Sequence, residues 1–169
     1  RGATASTSFN VQDVVTLRSG WQDTNATFLA TKAGEVGASH GNLEAGGFVL
    51  DALGTRWAMD FGGDNYALPG YFSEPQRWTY YRLRAEGNNC LVINPTSGVD
   101  QVDGAITAVT LFASQPDSER AATVMDLTPA YSGTTKVWRG FALSDRRRNV
   151  LIQDEITTNT ASTVWWFMH

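Results

Sequence analysis

Short runs of β-forming residues recur along most of this chain, and that recurrence limits its fold more than any other feature. In the second half the runs are Ala105–Ala113, Ala121–Leu127, Lys136–Leu143, Val150–Ile156 and Val164–Met168. They recur at spacings of roughly 12–16 residues, and polar turns such as SQPDSE, SGTT, SDRRRN and TTNTAS separate them. Earlier in the chain, Val14–Arg18 and Ala26–Lys32 flank the turn SGWQDTN, Trp78–Arg84 alternates loosely, and Cys90–Asn94 is stopped by Pro95. No segment carries the apolar period of an amphipathic helix. Regular short strands with polar turns predict an all-β sandwich or barrel. With 169 residues the chain suits one domain, and no composition shift divides it.

The best-patterned stretch is FVLDALGTRWAMDF, from Phe48 to Phe61. A type II′ turn wants glycine first, which places Gly54-Thr55 at the bend. Ala52 then faces Trp57, Leu50 faces Met59 and Phe48 faces Phe61, so one face of the hairpin is apolar. Asp60 falls opposite Val49, near the preceding loop Ala33–Ala45. The segment RGATASTS at the start reads as a linker or frayed end. Gly62–Gln76, rich in Gly, Pro, Asn and aromatics, reads as a long ordered loop.

Several function classes lose support from composition. The formal net charge of −4 argues against a nucleic-acid partner. No apolar run is long enough to span a membrane as a helix. Cys90 is the single cysteine, so no internal disulfide forms; it lies in an apolar strand without a nearby histidine, which argues against a thiol nucleophile. There is no GxSxG elbow and no phosphate loop. The chain starts at Arg1 and stops inside an apolar run, as a fragment truncated at both ends would.

Three groups of residues remain as candidates. His40 sits in a glycine-flanked loop and can exchange a proton near neutral pH. Asn42, Asp60 and Asn88 can supply three oxygens, a set suited to calcium better than to zinc. Their bland reading is that they cap turns. In NYALPGYFSEPQRWTYYRLR, aromatic rings interleave with arginines. Such rings stack on sugars, and arginine forks bind carboxylate or sulfate; equally, many of the rings can fill a core.

The segment HGNLEAGGFVLDALGTRWAMDFGGDNYALPGYF resembles the β-sandwich domain of heparinase II and III-type polysaccharide lyases. VVTLRSGWQDTNATFLATKAG before it, and GNNCLVINPTSGVDQ, MDLTPAY, VLIQDEI and WWFMH after it, extend the resemblance in order over nearly the whole chain. The resemblance implies an antiparallel β-sandwich of the supersandwich type, over residues 1–169, following a helical toroid that this chain lacks. It implies β-elimination on an acidic, uronate-containing polysaccharide. A sandwich histidine, matched by His40, would share the chemistry with an asparagine, a histidine and a tyrosine of the toroid, so this chain alone would be inactive. Tyr66, Tyr71, Arg77 and Arg82 would form the sugar-facing wall. A periplasmic, cell-envelope or secreted location follows from the same resemblance.

The family's structural zinc sits where this chain has Asn42, Asp60 and Asn88. Two of those zinc ligands are histidines in the relatives and asparagines here, so zinc is not expected. Either no cofactor is bound and hydrogen bonds hold the site, or a hard cation such as calcium takes the oxygens. The rival to a lyase is a carbohydrate-binding or scaffolding sandwich without chemistry. A weaker one, a glycoside hydrolase accessory domain, would use Glu44 and Asp60 as its carboxylates.

Overall fold

The computed structural model describes residues 6–9, 12–112 and 119–169. Among them are eleven strands and four short 3-10 turns. The strands are β1 (Ser6–Phe9), β2 (Gln12–Arg18), β3 (Phe28–Lys32), β4 (Phe48–Ala52), β5 (Thr55–Ala58), β6 (Leu91–Ile93), β7 (Ala108–Phe112), β8 (Ala121–Asp126), β9 (Thr134–Ser144), β10 (Asn149–Thr158) and β11 (Val164–Trp166). All pairings are antiparallel. One sheet has the order β1-β2-β3-β4-β5, a second β10-β9-β8-β7, and β11 pairs with β6. The antiparallel sandwich expected from the sequence is the fold observed. No helix among the described residues is long and apolar enough to cross a membrane.

Period-two alternation builds the interface between the sheets. β8 turns Ala121, Thr123 and Met125 inward, and β9 turns in Val137, Arg139, Phe141 and Leu143. Val15, Leu17, Leu29 and Phe48 meet them from the first sheet, with the Phe48 and Phe141 ring centroids 5.5 Å apart. Burying each large side chain of this kind contributes about 1.5–3 kcal/mol. Arg139 is the exception to the apolar rule. Fully buried in β9, it forms a bidentate pair with Asp154 of β10, at 2.7 Å from Nε and 3.0 Å from Nη2.

The structure corrects four local expectations. Ser6 to Ser8, read as part of a frayed end, lie in β1. The Phe48–Phe61 hairpin turns at Leu53-Gly54, whose φ values of 54° and 74° are both positive, as a type I′ bend requires. Ala52 therefore faces Thr55, and a bulge after Leu50 brings Leu50 opposite Ala58. An extra residue on one strand reverses which face its side chains take. Trp57 and Met59 thus lie at the surface rather than opposite Ala52 and Leu50, and Asp60 lies beyond the end of β5 instead of pairing with Val49. Lastly, Trp78–Arg84 is not a strand. It lies within three successive 3-10 turns, Gln76–Thr79, Tyr81–Leu83 and Ala85–Gly87. Trp78 and Leu83 bury there while the extended Tyr80 and Arg84 link the turns. Most of the SQPDSE turn, residue 113 and the first five residues lie outside the described residues.

Candidate active site

The loop from Ala33 to Gly47 is nailed down at both flanks. Gly34 and Thr107 exchange backbone hydrogen bonds, and Val36 N–H donates to the Ala105 carbonyl at 2.8 Å. On the far flank, Leu43 N–H reaches the Leu83 carbonyl and Gly46 N–H reaches that of Lys32. The buried Gln101 side chain accepts from Ala45 N–H at 3.0 Å and donates to the Ala45 carbonyl at 2.9 Å. Val36, Ala38, Leu43 and Ala45 are buried. The apolar residues of this loop therefore act as anchors, and Ser39 and His40 are left exposed at its tip. His40 has a φ of 62°. A non-glycine residue in that region costs on the order of 1–3 kcal/mol and is kept only where the surroundings hold it.

Two glycines close the loop. A Cβ on Gly47 would lie 2.5 Å from the Asn88 carbonyl oxygen, and one on Gly46 would lie 2.4 Å from Leu127 Cδ1. At Gly47 the clash is with backbone, so only hydrogen fits just before β4, and at Gly46 a φ of 79° is a conformation that side chains rarely adopt. Arg139 supports the same corner, since its Nη1 donates to the carbonyls of Gly46 and Asn89, each at 3.0 Å.

The tip forms one wall of a cleft of about 460 Å³. His40, Asn42, Asp60, Tyr66, Tyr71 and Arg77 all line it, together with Phe72. The structure thus gathers six of the eight residues singled out from the sequence; Asn88 and Arg82 stand outside the lining. Asp60 is exposed, and its Oδ1 accepts from Gly62 N–H at 2.5 Å. Tyr66 and Phe72 are exposed with ring centroids 5.2 Å apart. Tyr71 is buried behind them, and its hydroxyl accepts from Asp64 N–H at 3.2 Å. Arg77 Nη2 donates to the Gly41 carbonyl at 2.9 Å. Arg82 Nη1 donates to the carbonyls of Phe61 and Gly63, which places it behind the opposite wall.

The three oxygen-bearing residues do not bond to one another through their side chains. Asn88 is buried, with its Nδ2 donating to the Arg82 and Arg84 carbonyls at 3.1 and 2.7 Å. Its Oδ1 is buried with no hydrogen-bond partner. It shares a smaller groove with Asp60, next to the cleft. Asn42 donates through its backbone N–H to Glu44 Oε1 at 3.0 Å, and the same oxygen receives Lys32 Nζ at 2.9 Å. Glu44 lines the smaller groove with Asp60 and not the main cleft, and its Oε1 is held by Lys32 and the Asn42 N–H, so this pair does not present two free carboxylates to one cleft as a hydrolase would need. Among the described residues no three of His, Cys, Asp and Glu gather as a metal site. Two amides and one carboxylate do not match the imidazole and thiolate ligands that zinc prefers.

Asn89, Gln101 and Arg139 support the loop and the hairpin, and none was singled out from the sequence, although Asn89 and Gln101 lie in the resembling segment GNNCLVINPTSGVDQ. Asn89 Nδ2 donates to the carbonyls of Phe48 and Met59 at 2.8 and 3.0 Å. It bridges the two arms of the hairpin just past their last ladder pair, Leu50 with Ala58. Its Oδ1 accepts from His169 N–H at 2.8 Å, and Met59 N–H donates to the His169 carbonyl. Both backbone groups of Met59 are thereby held, and Asp60 follows directly. Deeper in, burial pushes the Asp100 carboxyl above its ordinary range, opposed by the Arg84 guanidinium 3.1 Å away. Burial likewise pushes the Cys90 thiol far above the usual thiol range.

A protein-family model described as heparinase II/III-like, C-terminal, matches residues 2–169. No curated protein matches the chain. Among solved structures, the chain is similar to the heparinase III-BT4657 gene product, with a TM-score of 0.71 and 22% identity over 94% of this chain and 23% of that one. It is similar to the heparan sulfate lyase HepC from Pedobacter heparinus, with a TM-score of 0.69 and 17% identity over 95% of this chain and 23% of that one. A mutant of the same lyase superposes with a TM-score of 0.72, at 17% identity over the same shares of each chain. The chain therefore spans about a quarter of the length of these structures.

Proposed function

The chain belongs to the heparinase II/III-like family, as its C-terminal portion, and on that footing we propose that it is the sandwich part of a polysaccharide lyase. The substrate class is an acidic, uronate-containing polysaccharide of the heparin or heparan type or a relative of it. In β-elimination a base takes the proton beside the sugar carboxylate. A carbon–carbon double bond forms as the bond to the glycosidic oxygen breaks, and that oxygen receives a proton. His40 is the sandwich's proton-transfer group in this scheme. One observation carries the reading: His40 is held at the tip of a loop anchored on both flanks, facing a cleft that also carries Asp60, Arg77 and exposed aromatic rings.

Tyr66 and Tyr71, with Phe72, supply a surface for a sugar ring, Tyr66 and Phe72 by their open faces and Tyr71 by supporting Asp64. Arginine adds positive charge opposite an acidic polymer. The remaining groups, including those that balance the carboxylate charge, are assigned to a helical domain of the same protein, and the sandwich alone does not turn over substrate. We place no zinc at Asn42, Asp60 and Asn88; the loop's anchoring is supplied by Gln101, Arg139 and its own apolar residues. If an ion is taken there, it is an oxygen-seeking one such as calcium.

The test is product absorbance from the unsaturated sugar, measured on a panel of uronate polymers with the full-length gene product. His40→Ala is expected to lower the rate by at least about a hundredfold, in keeping with general acid–base catalysis. An unchanged rate refutes the role of His40. Oligosaccharide binding with no product on any polymer would support the non-catalytic binding module instead.

A further inference from the structure

Arg77 lies on the cleft wall, where a guanidinium invites assignment as a sugar-carboxylate ligand. Its geometry says otherwise. Nη2 donates to the carbonyl of Gly41 at 2.9 Å, across 36 residues of chain. Nε is buried. The guanidinium carbon lies 4.2 Å from the ring centroid of Trp78, itself only 1% exposed. Planar, stacked and seated on a buried ring, this guanidinium has little freedom to turn toward a ligand. The bond it makes falls on the residue directly after His40. The ties through Leu43, Ala45 and Gly46 reach the flank of the loop, whereas Arg77 reaches its tip. His40, at a φ of 62°, needs such a hold, because a left-handed histidine between free neighbours relaxes to other conformations. Inside the tip, the turn Gly41 N–H to Ala38 carbonyl, at 2.5 Å, closes the bend, and Arg77 fastens that bend to the wall.

We propose that Arg77 is a positioning residue for His40 and does not hold the sugar. This rests on the reading of His40 as the proton-transfer group. Losing the bond lets the imidazole wander, which costs turnover and not ground-state binding. The full-length gene product is compared as wild type, His40→Ala, Arg77→Ala and Arg77→Lys. Arg77→Ala is expected to lower kcat by about tenfold to a hundredfold with KM within about twofold. Arg77→Lys keeps one donor and the charge but loses the stacked fork, so its kcat lies between the two. Amide exchange in residues 38–42 is expected to speed up in both Arg77 variants while that of Leu43 to Gly47 stays as in wild type.

A raised KM with kcat intact in either variant makes Arg77 a sugar ligand and overturns the proposal. So does wild-type kcat with wild-type exchange. Should Arg77→Ala fail to fold, Arg77→Lys decides by the same two readings. If His40→Ala retains full activity, the functional reading itself fails, and the exchange data still report whether Arg77 holds the tip.

Discussion

Consider Arg139→Met. The side chain of Arg139 is wholly buried, and it serves three acceptors: the Asp154 carboxylate, the Gly46 carbonyl and the Asn89 carbonyl. Methionine fills similar volume but donates nothing. Asp154, only 14% exposed at its side chain, is left charged with Trp166 Nε1 as its remaining partner, at 3.0 Å. Breaking a buried pair from one side costs about 3–5 kcal/mol. That is a large share of the total for a single domain, about 5–15 kcal/mol. For a chain of this size it lowers Tm by on the order of 6–20 °C. The measurement is chemical denaturation followed by tryptophan fluorescence, with m checked for constancy. The double variant Arg139→Met with Asp154→Leu separates the two parts of the loss. It removes the stranded carboxylate and so recovers part of the stability, but it still leaves two backbone carbonyls without their donor. Each such group costs about 1–3 kcal/mol. The double variant is therefore expected to stay at least about 2 kcal/mol below wild type. A single-variant loss under about 1 kcal/mol refutes the buried-pair argument. A double variant as stable as wild type refutes the claim that the Gly46 and Asn89 carbonyls depend on Arg139.

Two further outcomes are expected. Cys90 is buried and its thiol is pushed far up by burial, so maleimide leaves it unmodified at pH 8 in native protein and labels it fully in denaturant; rapid native labelling contradicts its place in the core. Protein purified without chelator carries no stoichiometric zinc, and elemental analysis finds calcium or no metal at all; one equivalent of zinc shows that the asparagines at 42 and 88 are better ligands than their chemistry suggests.

Much of the fold is legible locally. The runs Ala121–Leu127 and Lys136–Leu143 read as strands and fall on β8 and β9, because β-forming runs between polar turns are a local property of the chain. The hairpin shows where this runs out. Its turn depended on whether Gly54 took the first or the second central position, and its register on a bulge after Leu50. Both alternatives present similar apolar residues in order, and packing against the rest of the sandwich chooses between them. Trp78–Arg84 failed differently. Buried Trp78 and Leu83 spaced among polar residues mimic loose alternation, whereas the backbone satisfies itself through bonds three residues apart.

At the candidate site, the glycine-flanked loop and His40 could be named from composition and spacing, since glycines and a polar tip between apolar anchors are neighbours in the chain. So could Asp60 at the end of the hairpin, although by a register that the structure shifted. What the individual polar side chains touch was decided by tertiary structure alone. Asn88 and Asn89 are identical and adjacent, yet one caps a turn while the other stitches the hairpin together. Arg77 and Arg82 read as sugar-facing, yet each spends a nitrogen on a backbone carbonyl 36 and 21 residues away. Arg139 reads as a surface residue, yet it sits in the core because a carboxylate on the next strand and two carbonyls, one of them 93 residues away, satisfy it. Sequence pattern records what a residue's near neighbours require of the backbone. A hydrogen bond between distant segments exists only once the chain has closed around it, so its partners are chosen by the fold and not by the local pattern.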